Sequence, residues 1–387
     1  MPEFDSLSGF PSVRQPASRA SLILSQVVLL AAGMSFVLLA SATDTRVVVG
    51  TRFADLFDES DSDVAVEIYG LNGKDTITGS AFADIHDGGP ANDIMSGGNG
   101  DDVFTVSGAG GGLDIYSGGS GIDRIQGGSG NDSIGLNRIF GGSQSVEVID
   151  GGAGFNEILG TKYRDDLDFS AAMLIDIALI DGADGDDSLT GSAGDDTIAG
   201  GRGSDTVYGL AGNDTFLFDG SSGDFDLIRG GAGFDRIVGT SGDDLIGLRG
   251  YSGANSVELI DGGGGFDAIV GGDFADLLDF SATTLQRIAL IDGGGGNDSI
   301  VGSALDDVIA GGAGNDTIDG GAGFDTAVFE GTKSEYEIFV SSGSATVIRI
   351  IAGGFNESDT LIGVEQAQFA DVAVPIGGGN QPPIAVD

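Results

Sequence analysis

The chain has 387 residues, 72 of them glycine, and its 60 acidic residues outnumber 16 basic ones, giving a net charge of −44. This charge argues against nucleic acid as a partner, because phosphate groups would be repelled, and the absence of cysteine excludes a disulfide framework. Hydrophobic residues still make up 40% of the chain, too many for a disordered acidic tail. Packing them requires a partner that neutralises the carboxylates, and divalent cations are the simplest candidate.

The N-terminal segment 1–42 differs in composition from the rest. Arg14 and Arg19 precede an apolar stretch from Leu22 to Leu39, and Ala40-Ser41-Ala42 has the small-x-small form of a signal-peptidase site. The segment therefore predicts a cleavable signal peptide. An N-terminal membrane anchor and a start codon assigned too far upstream are the alternatives. Residues 43–69 are predicted to form a lead-in that caps the region after it.

Residues 70–328 contain an internal repeat with a period of nine. Twenty blocks, each beginning with glycine, occur in runs of 4, 2, 2, 4, 2, 2 and 4 with spacers between the runs. A longer period is superimposed, because IALIDG at Ile177 recurs at Ile288 and the DFS at Asp168 recurs at Asp279 with the same offset. One continuous architecture is expected, not several unrelated domains.

Three regularities of the nonapeptide predict three roles. Glycine at positions 1, 2 and 4 allows tight turns and close approach of backbone carbonyls to an ion. Position 6 is aspartate in all blocks but one, where Asn156 replaces it, and carboxylate oxygen is a preferred ligand of Ca²⁺. Position 8 is usually large and apolar, as at Ile77 and Phe216, so positions 7 to 9 predict a short strand whose middle side chain points inward.

The repeat resembles the RTX, or haemolysin-type, calcium-binding nonapeptide G-G-x-G-x-D-x-U-x, in which U is a large apolar residue. The resemblance covers about 260 residues, spacers included. It implies an all-β fold, a right-handed parallel β-roll in which two successive blocks make one coil. It also implies calcium ions between turns that are neighbours in successive coils, at least about six ions in all. The pairs of position-6 residues in the four-block runs are Asp75 with Asp93, Asp84 with Asp102, Asp187 with Asp205, Asp196 with Asp214, Asp298 with Asp316, and Asp307 with Asp325.

The two-block runs leave two alternatives open. Their spacers are either side loops on an unbroken solenoid or the ends of separate rolls. In the first case further ions bind near the position-6 residues Asp123, Asp132, Asp235, Asp244, Asp267 and Asp276. Two blocks, GSAFADIHD and GTKYRDDLD, depart from the consensus, so Asp84 and Asp165 are predicted to be weaker ligands. Aspartates outside position 6, such as Asp101 and Asp186, are interpreted as solvated turn residues.

Beyond the repeats, residues 329–374 alternate as β-strands and predict a C-terminal cap, which protects the exposed edge of a solenoid. The segment from Asp359 to Asp371 resembles the D-T-L-x-x-V-E-x-x-x-F-x-D element that often follows RTX rolls. Residues 375–387 contain Asn380-Gln381-Pro382-Pro383 and predict an extended linker to a further domain.

No catalytic constellation is evident, and the chain is predicted not to be an enzyme. The single histidine, His86, occupies position 8 of a block and is expected to pack inward. The predicted function is extracellular calcium binding with calcium-dependent folding after secretion. The expected partners are calcium ions, the bacterial secretion machinery and a cell-surface or matrix ligand. Two alternatives are a structural adhesin or surface stalk, and the repeat region of a secreted hydrolase.

Overall fold

A computed structural model describes residues 36–39, 45–108, 110–218, 224–341, 344–350 and 356–376 of the chain. Most of the predicted signal segment and most of the predicted linker lie outside these residues. The described chain is all-β, with two 3₁₀ turns at Gly253–Asn255 and Lys333–Glu335. It forms a parallel β-solenoid of about 13 turns with antiparallel strands near the C-terminus. No helix among the described residues is long and apolar enough to cross a membrane.

Most strands are three residues long, as the nonapeptide predicts. The strands of the first third are β1 (Phe36–Leu39), β2 (Thr45–Val49), β3 (Leu56–Asp58), β4 (Ala65–Tyr69), β5 (Thr76–Thr78), β6 (Ile85–Asp87), β7 (Ile94–Asn99), β8 (Val103–Thr105), β9 (Ile115–Ser120), β10 (Arg124–Gln126), β11 (Ser133–Gly135) and β12 (Ile139–Phe140). The middle third contains β13 (Val148–Asp150), β14 (Glu157–Leu159), β15 (Asp166–Asp168), β16 (Met173–Ile175), β17 (Leu179–Asp181), β18 (Ser188–Thr190), β19 (Thr197–Ala199), β20 (Thr206–Ala211), β21 (Thr215–Leu217), β22 (Leu227–Ala232), β23 (Arg236–Val238), β24 (Leu245–Gly247) and β25 (Leu259–Asp261). The last third contains β26 (Ala268–Val270), β27 (Leu277–Asp279), β28 (Thr284–Gln286), β29 (Leu290–Asp292), β30 (Ser299–Val301), β31 (Val308–Ala310), β32 (Thr317–Asp319), β33 (Thr326–Val328), β34 (Tyr336–Ser341), β35 (Ser344–Arg349), β36 (Glu357–Ile362), β37 (Gln366–Gln368) and β38 (Ala373–Pro375).

These strands form six sheets along the solenoid. The sheets are A (β1-β2-β4-β6-β8-β10-β13-β16), B (β3-β5-β7-β9), C (β11-β14-β17-β19-β21-β23-β25-β28), D (β12-β15-β18-β20-β22), E (β24-β26-β29-β31-β33-β37-β38) and F (β27-β30-β32-β36-β35-β34). Each sheet spans several coils, and the chain passes from one sheet to the next within every coil.

The four-block runs are two-sided, as the resemblance implies. In the second run the chain alternates between sheets C and D, and Thr197 pairs with Thr215, so that one coil takes two nonapeptides. The middle residue of each short strand points inward and is buried, while its neighbours are more exposed. Ile198 and Phe216 lie opposite each other in this ladder, and both are almost completely buried.

The two-block runs and their spacers form three-sided coils. Successive strands β10, β11 and β12 lie in sheets A, C and D, and so do β13, β14 and β15. Arg124 pairs with Val148, so this coil is longer than the two nonapeptides of a two-sided coil. The same arrangement returns one superrepeat later with sheets C, E and F. The solenoid is therefore unbroken, and the spacers supply a third side because they contribute their own inward residues, such as Ile149 and Ile260.

The C-terminal segment adds one more coil before the chain ends in antiparallel strands. Strand β36 pairs in parallel with β32, and β37 pairs in parallel with β33. The hairpin of β34 and β35 is inserted ahead of them and continues sheet F in antiparallel pairing. The predicted cap is thus partly a genuine coil of the solenoid, flanked by strands that cover its edge.

Candidate calcium centre

The position-6 aspartates line up in columns along the edges of the solenoid. Within a column, the carboxylate oxygen Oδ1 of one aspartate accepts a hydrogen bond from the backbone N–H of the aspartate one coil earlier. All six predicted pairs of the four-block runs are joined in this way, Asp75 to Asp93 at 2.7 Å, Asp84 to Asp102 at 2.8 Å, Asp187 to Asp205 at 2.7 Å, Asp196 to Asp214 at 2.9 Å, Asp298 to Asp316 at 2.9 Å and Asp307 to Asp325 at 2.9 Å. The structure therefore brings these residues together at the spacing of one coil.

The aspartates of the two-block runs are stacked by the same kind of hydrogen bond. The N–H of Asp102 donates to Asp123 at 2.8 Å, and that of Asp214 donates to Asp235 at 2.8 Å. Asp244 donates in the same way to Asp267 at 3.0 Å. The remaining two are also in columns, since Asp132 donates to Asn156 and Asp276 donates to Asp298. Asp123, Asp235 and Asp276 therefore extend columns of the four-block runs, whereas Asp132 and Asp244 begin short columns of their own.

The second carboxylate oxygen, Oδ2, divides the 18 predicted site residues into two groups. In twelve of them Oδ2 is buried and has no hydrogen-bond partner among the described residues. We call their turns open; their aspartates are Asp75, Asp93, Asp102, Asp123, Asp187, Asp205, Asp214, Asp235, Asp267, Asp298, Asp316 and Asp325. A buried acceptor without a donor costs about 1–3 kcal/mol, and more when it is charged. Twelve such oxygens in register indicate that a positive ligand belongs there.

In the other six predicted residues Oδ2 accepts an N–H from position 2 of the same turn. We call these turns capped; their aspartates are Asp84, Asp132, Asp196, Asp244, Asp276 and Asp307, with bonds of 2.5 to 2.7 Å. Asp165, which we predicted to be a weak ligand, is capped by the N–H of Thr161. Capping does not single out these two residues, because Asp132 in the consensus block GGSGNDSIG is capped as well, so the weaker binding of Asp84 and Asp165 stays a prediction.

In most open turns the carboxylate lies close to a backbone carbonyl of the next coil. A Cβ added to Gly293 would lie 2.6 Å from Asp298 Oδ2 and 2.5 Å from the carbonyl oxygen of Gly311. Two oxygens from successive coils thus approach the same point, and only glycine at position 1 leaves that point free. Carboxylate and carbonyl oxygens are the ligands that Ca²⁺ prefers. The residues present fit a calcium ion between successive turns.

No three carboxylate or imidazole side chains converge into one cluster anywhere in the described part of the chain. Ca²⁺ takes six to eight oxygen ligands, and backbone carbonyls are common among them. The close approach of the glycine carbonyls supplies the kind of ligand that the side chains lack.

The buried carboxyl groups have raised pKa values. Burial, followed by the charges of neighbouring carboxylates, raises the pKa of Asp102, Asp187 and Asp325 to about 7. Burial likewise raises the pKa of Asp214 and Asp298 to about 6. In the folded chain the charge on these groups is opposed both by desolvation and by like charge, so a proton or a cation is needed to relieve it.

Several column members were missed by the sequence reasoning. Residues 50–58, GTRFADLFD, form a further nonapeptide whose Asp55 donates to Asp75. Asp114 and Asp226 lie in spacers and accept the N–H groups of Asp93 and Asp205. The 50–58 block carries the glycine, aspartate and apolar signals at positions 1, 6 and 8, so its sequence could have revealed it. Asp114 has Gly110 and Gly112 at positions 2 and 4 and Tyr116 at position 8, so only the glycine at position 1 is missing there. The stretch before Asp226 lacks all of these glycines, so that residue could not be recognised from the pattern.

Longer or later acidic residues end some of the columns. Glu147 and Glu258 accept the N–H groups of Asp123 and Asp235. In the last coil, Asp359 accepts from Asp316 and Glu365 accepts from Asp325. The D-T-L-x-x-V-E element therefore carries acidic residues to the ends of the last two columns.

Two other sequence interpretations concern residues outside the columns. His86 is fully buried and packs edge-to-face against Phe104, as expected, and burial lowers its pKa to about 4. Asp101 and Asp186 are exposed, but each accepts a backbone N–H from the next coil, at 2.8 and 3.0 Å. Position 5 thus forms a second, solvent-exposed ladder that sequence reasoning did not foresee.

Comparison with known proteins agrees with the geometry. A family model of the RTX calcium-binding nonapeptide repeat, four copies long, matches residues 68–104, 108–145, 181–216, 220–253 and 292–327. The matched segments cover all but the last residue of each four-block run and leave out the blocks at 151–168 and 262–279. No curated protein matches the chain.

Proposed function

Since the chain carries RTX calcium-binding repeats and folds as a parallel β-solenoid, we propose that it is a calcium-dependent folding module that acts outside the cell. One observation carries the proposal. Twelve buried carboxylate oxygens without a partner recur along the described solenoid. Bound calcium would supply the positive charge that these oxygens need, so that binding free energy becomes folding free energy.

Different residues of one turn have different roles in this coupling of binding to folding. Asp298 presents one oxygen to the Asp276 N–H and the other to the gap between coils. Gly293 and Gly311 keep that gap free and bring a carbonyl to it. Ile300, two residues after the carboxylate, is fully buried in the core. Ordering one turn therefore orders the strand that comes after it, and each coil supports the next.

Charge repulsion and glycine flexibility also fit export of the chain in an unfolded state. At a net charge of −44, with glycine-rich turns, the calcium-free chain resists compaction. Free calcium is scarce in the cytosol, whereas extracellular modules bind it with dissociation constants of about 10⁻⁴–10⁻³ M. The chain would remain exportable by the bacterial secretion machinery and fold on meeting calcium outside, where a cell-surface or matrix ligand would be its partner.

We assign the chain a structural role without catalysis. The stacked strands of the described solenoid use their acidic columns to join successive coils, and the one histidine is enclosed in the core beside Phe104. An RTX roll of this kind is typically structural. A stiff calcium-loaded stalk on a cell surface is compatible with the same geometry.

Circular dichroism of the purified full chain tests the proposal. We expect mostly unordered signal in chelator, a cooperative gain of β-structure on adding calcium near the millimolar range, and its loss when chelator is restored. Magnesium at equal concentration is the control, because its smaller octahedral shell fits a carbonyl-rich site poorly. β-structure unchanged by chelation would contradict the proposal.

A further inference from the structure

Open and capped turns also differ in the backbone conformation of residue 2 of the nonapeptide. In all twelve open turns, residue 2 of the nonapeptide has a positive φ. This is true even where it is not glycine, as at Leu71 (73°), Ala183 (74°) and Leu210 (81°). A positive φ is strained for such residues and costs about 1–3 kcal/mol, which persists only where the surrounding structure enforces it.

In the capped turns residue 2 does not have a positive φ, and its N–H reaches Oδ2 of its own aspartate. Ser80 N–H lies 2.5 Å from Asp84 Oδ2, and the Ser80 hydroxyl adds a bond of 2.9 Å to Oδ1. Ser192 and Ser303 repeat this arrangement with Asp196 and Asp307. The oxygen that a cation would take is therefore already paired with a donor, and a cation would have to displace it.

The capped turns also share a position at the start of a column. Wherever the structure describes the residue one coil before a capped aspartate, that residue is not acidic. Val66 precedes Asp84 and Gly108 precedes Asp132, each donating its N–H to the carboxylate. Ile180 pairs with Ile198, which places Ala178 one coil before Asp196. An aspartate with no acidic residue one coil earlier therefore accepts a hydrogen bond from an N–H of its own turn.

We propose that the capped turns are metal-free column starters, and that calcium binds only beside the open aspartates. This rests on the proposed calcium-dependent folding and specifies which turns take part in it. Of the six pairs in the four-block runs, three contain two open carboxylates, and three begin with a capped residue, Asp84, Asp196 or Asp307. The described chain then binds up to twelve ions at open turns, and the capped turns fold without one.

Two triple variants of the full chain test this, and they are matched block by block. The capped variant carries Asp84→Asn, Asp196→Asn and Asp307→Asn. The open variant carries Asp93→Asn, Asp205→Asn and Asp316→Asn, each one block further on in the same run. Bound calcium is counted by native mass spectrometry and by equilibrium dialysis at saturating calcium. We expect the open variant to lose at least three ions and the capped variant to lose none.

Equal losses in the two variants would overturn this inference alone. A wild-type chain that binds no calcium would overturn the proposed function as well. A second measurement needs no substitution and covers the case in which the open variant does not fold. Anomalous difference density from crystals of the calcium-loaded wild-type chain should lie beside Asp93, Asp205 and Asp316, and not beside Asp84, Asp196 or Asp307. Density at the capped aspartates would show that calcium displaces their N–H donors.

Discussion

At the scale of single residues, the calcium centre depends as much on glycine as on aspartate. A carboxylate at position 6 supplies charge, but the point where oxygens of two coils meet is kept free by the missing side chain at position 1. Position 2 then decides whether the carboxylate is open or capped, through the sign of its φ. The repeat thus has two backbone geometries at its turns, and the same aspartate at position 6 acts differently in each.

A matched pair of alanine substitutions tests this dependence on glycine. Gly293→Ala places a methyl group 2.6 Å from Asp298 Oδ2 and 2.5 Å from the Gly311 carbonyl, whereas Gly130→Ala meets nothing within 4 Å. Neither glycine has a positive φ, so backbone strain does not distinguish them. We expect Gly293→Ala to lower the free energy of unfolding in calcium by about 1–3 kcal/mol, as overpacking does.

Denaturant unfolding in saturating calcium measures the effect, with calcium titration of each variant beside it. Gly130→Ala should unfold within about 0.5 kcal/mol of the wild type, as surface substitutions do. If both variants unfolded at the same denaturant concentration as the wild type, the close approach at position 1 would have no energetic role.

At the scale of elements, the nonapeptide predicts strand, turn and inward residue because all three lie within one block. The inward positions of Ile77, Phe104 and Ile318 follow from the alternation of strand faces, and all three are buried. The three-sided coils could not be predicted, since strands such as β13 and β16 lie in spacers that lack the glycine-aspartate signal. Nor could the capped turns be recognised, because Gly128 and Gly272 cap their aspartates although the motif would also allow them an open geometry.

The coil length gives a prediction about deletions. Removing residues 191–208 takes out one whole coil of two blocks and places β21 next to β17 in sheet C, where both present inward apolar residues. We expect this whole-coil deletion to keep calcium-dependent β-structure. Removing residues 191–204 instead takes out a length that is not a whole number of blocks, and this out-of-phase deletion should disrupt the stacking at the junction.

Calcium-dependent circular dichroism and limited proteolysis compare the two deletion variants. The out-of-phase deletion should be cut near its junction even in calcium, whereas the whole-coil deletion should be as resistant as the full chain. Equal protection of both would mean that the coils do not depend on register between their neighbours.

At the scale of the whole molecule, the stacked carboxylates make folding depend on any species that neutralises them. The chain carries a net charge of −44, and its coils concentrate many of the acidic groups in columns. Calcium neutralises a column by binding between coils, and protons can do so by titrating the carboxyl groups. Calcium and protons compete for the same oxygens, because calcium binds only the deprotonated carboxylate.

The pH dependence of the calcium-free chain follows from this competition. Burial raises the pKa of Asp93, Asp102 and Asp187 to about 7 in the folded chain, against 3.8 for an ordinary aspartate. A group with a raised pKa binds more protons in the folded state, so its contribution to stability is fully present below about pH 4 and is lost as the pH rises through about 7. In chelator we therefore expect more β-structure at pH 5 than at pH 8, measured by circular dichroism.

The affinity of the chain for calcium should instead fall as the pH is lowered over the same range, because protons compete for the ligand oxygens. A calcium-free chain that lost β-structure on acidification would show that repulsion within the columns does not limit folding.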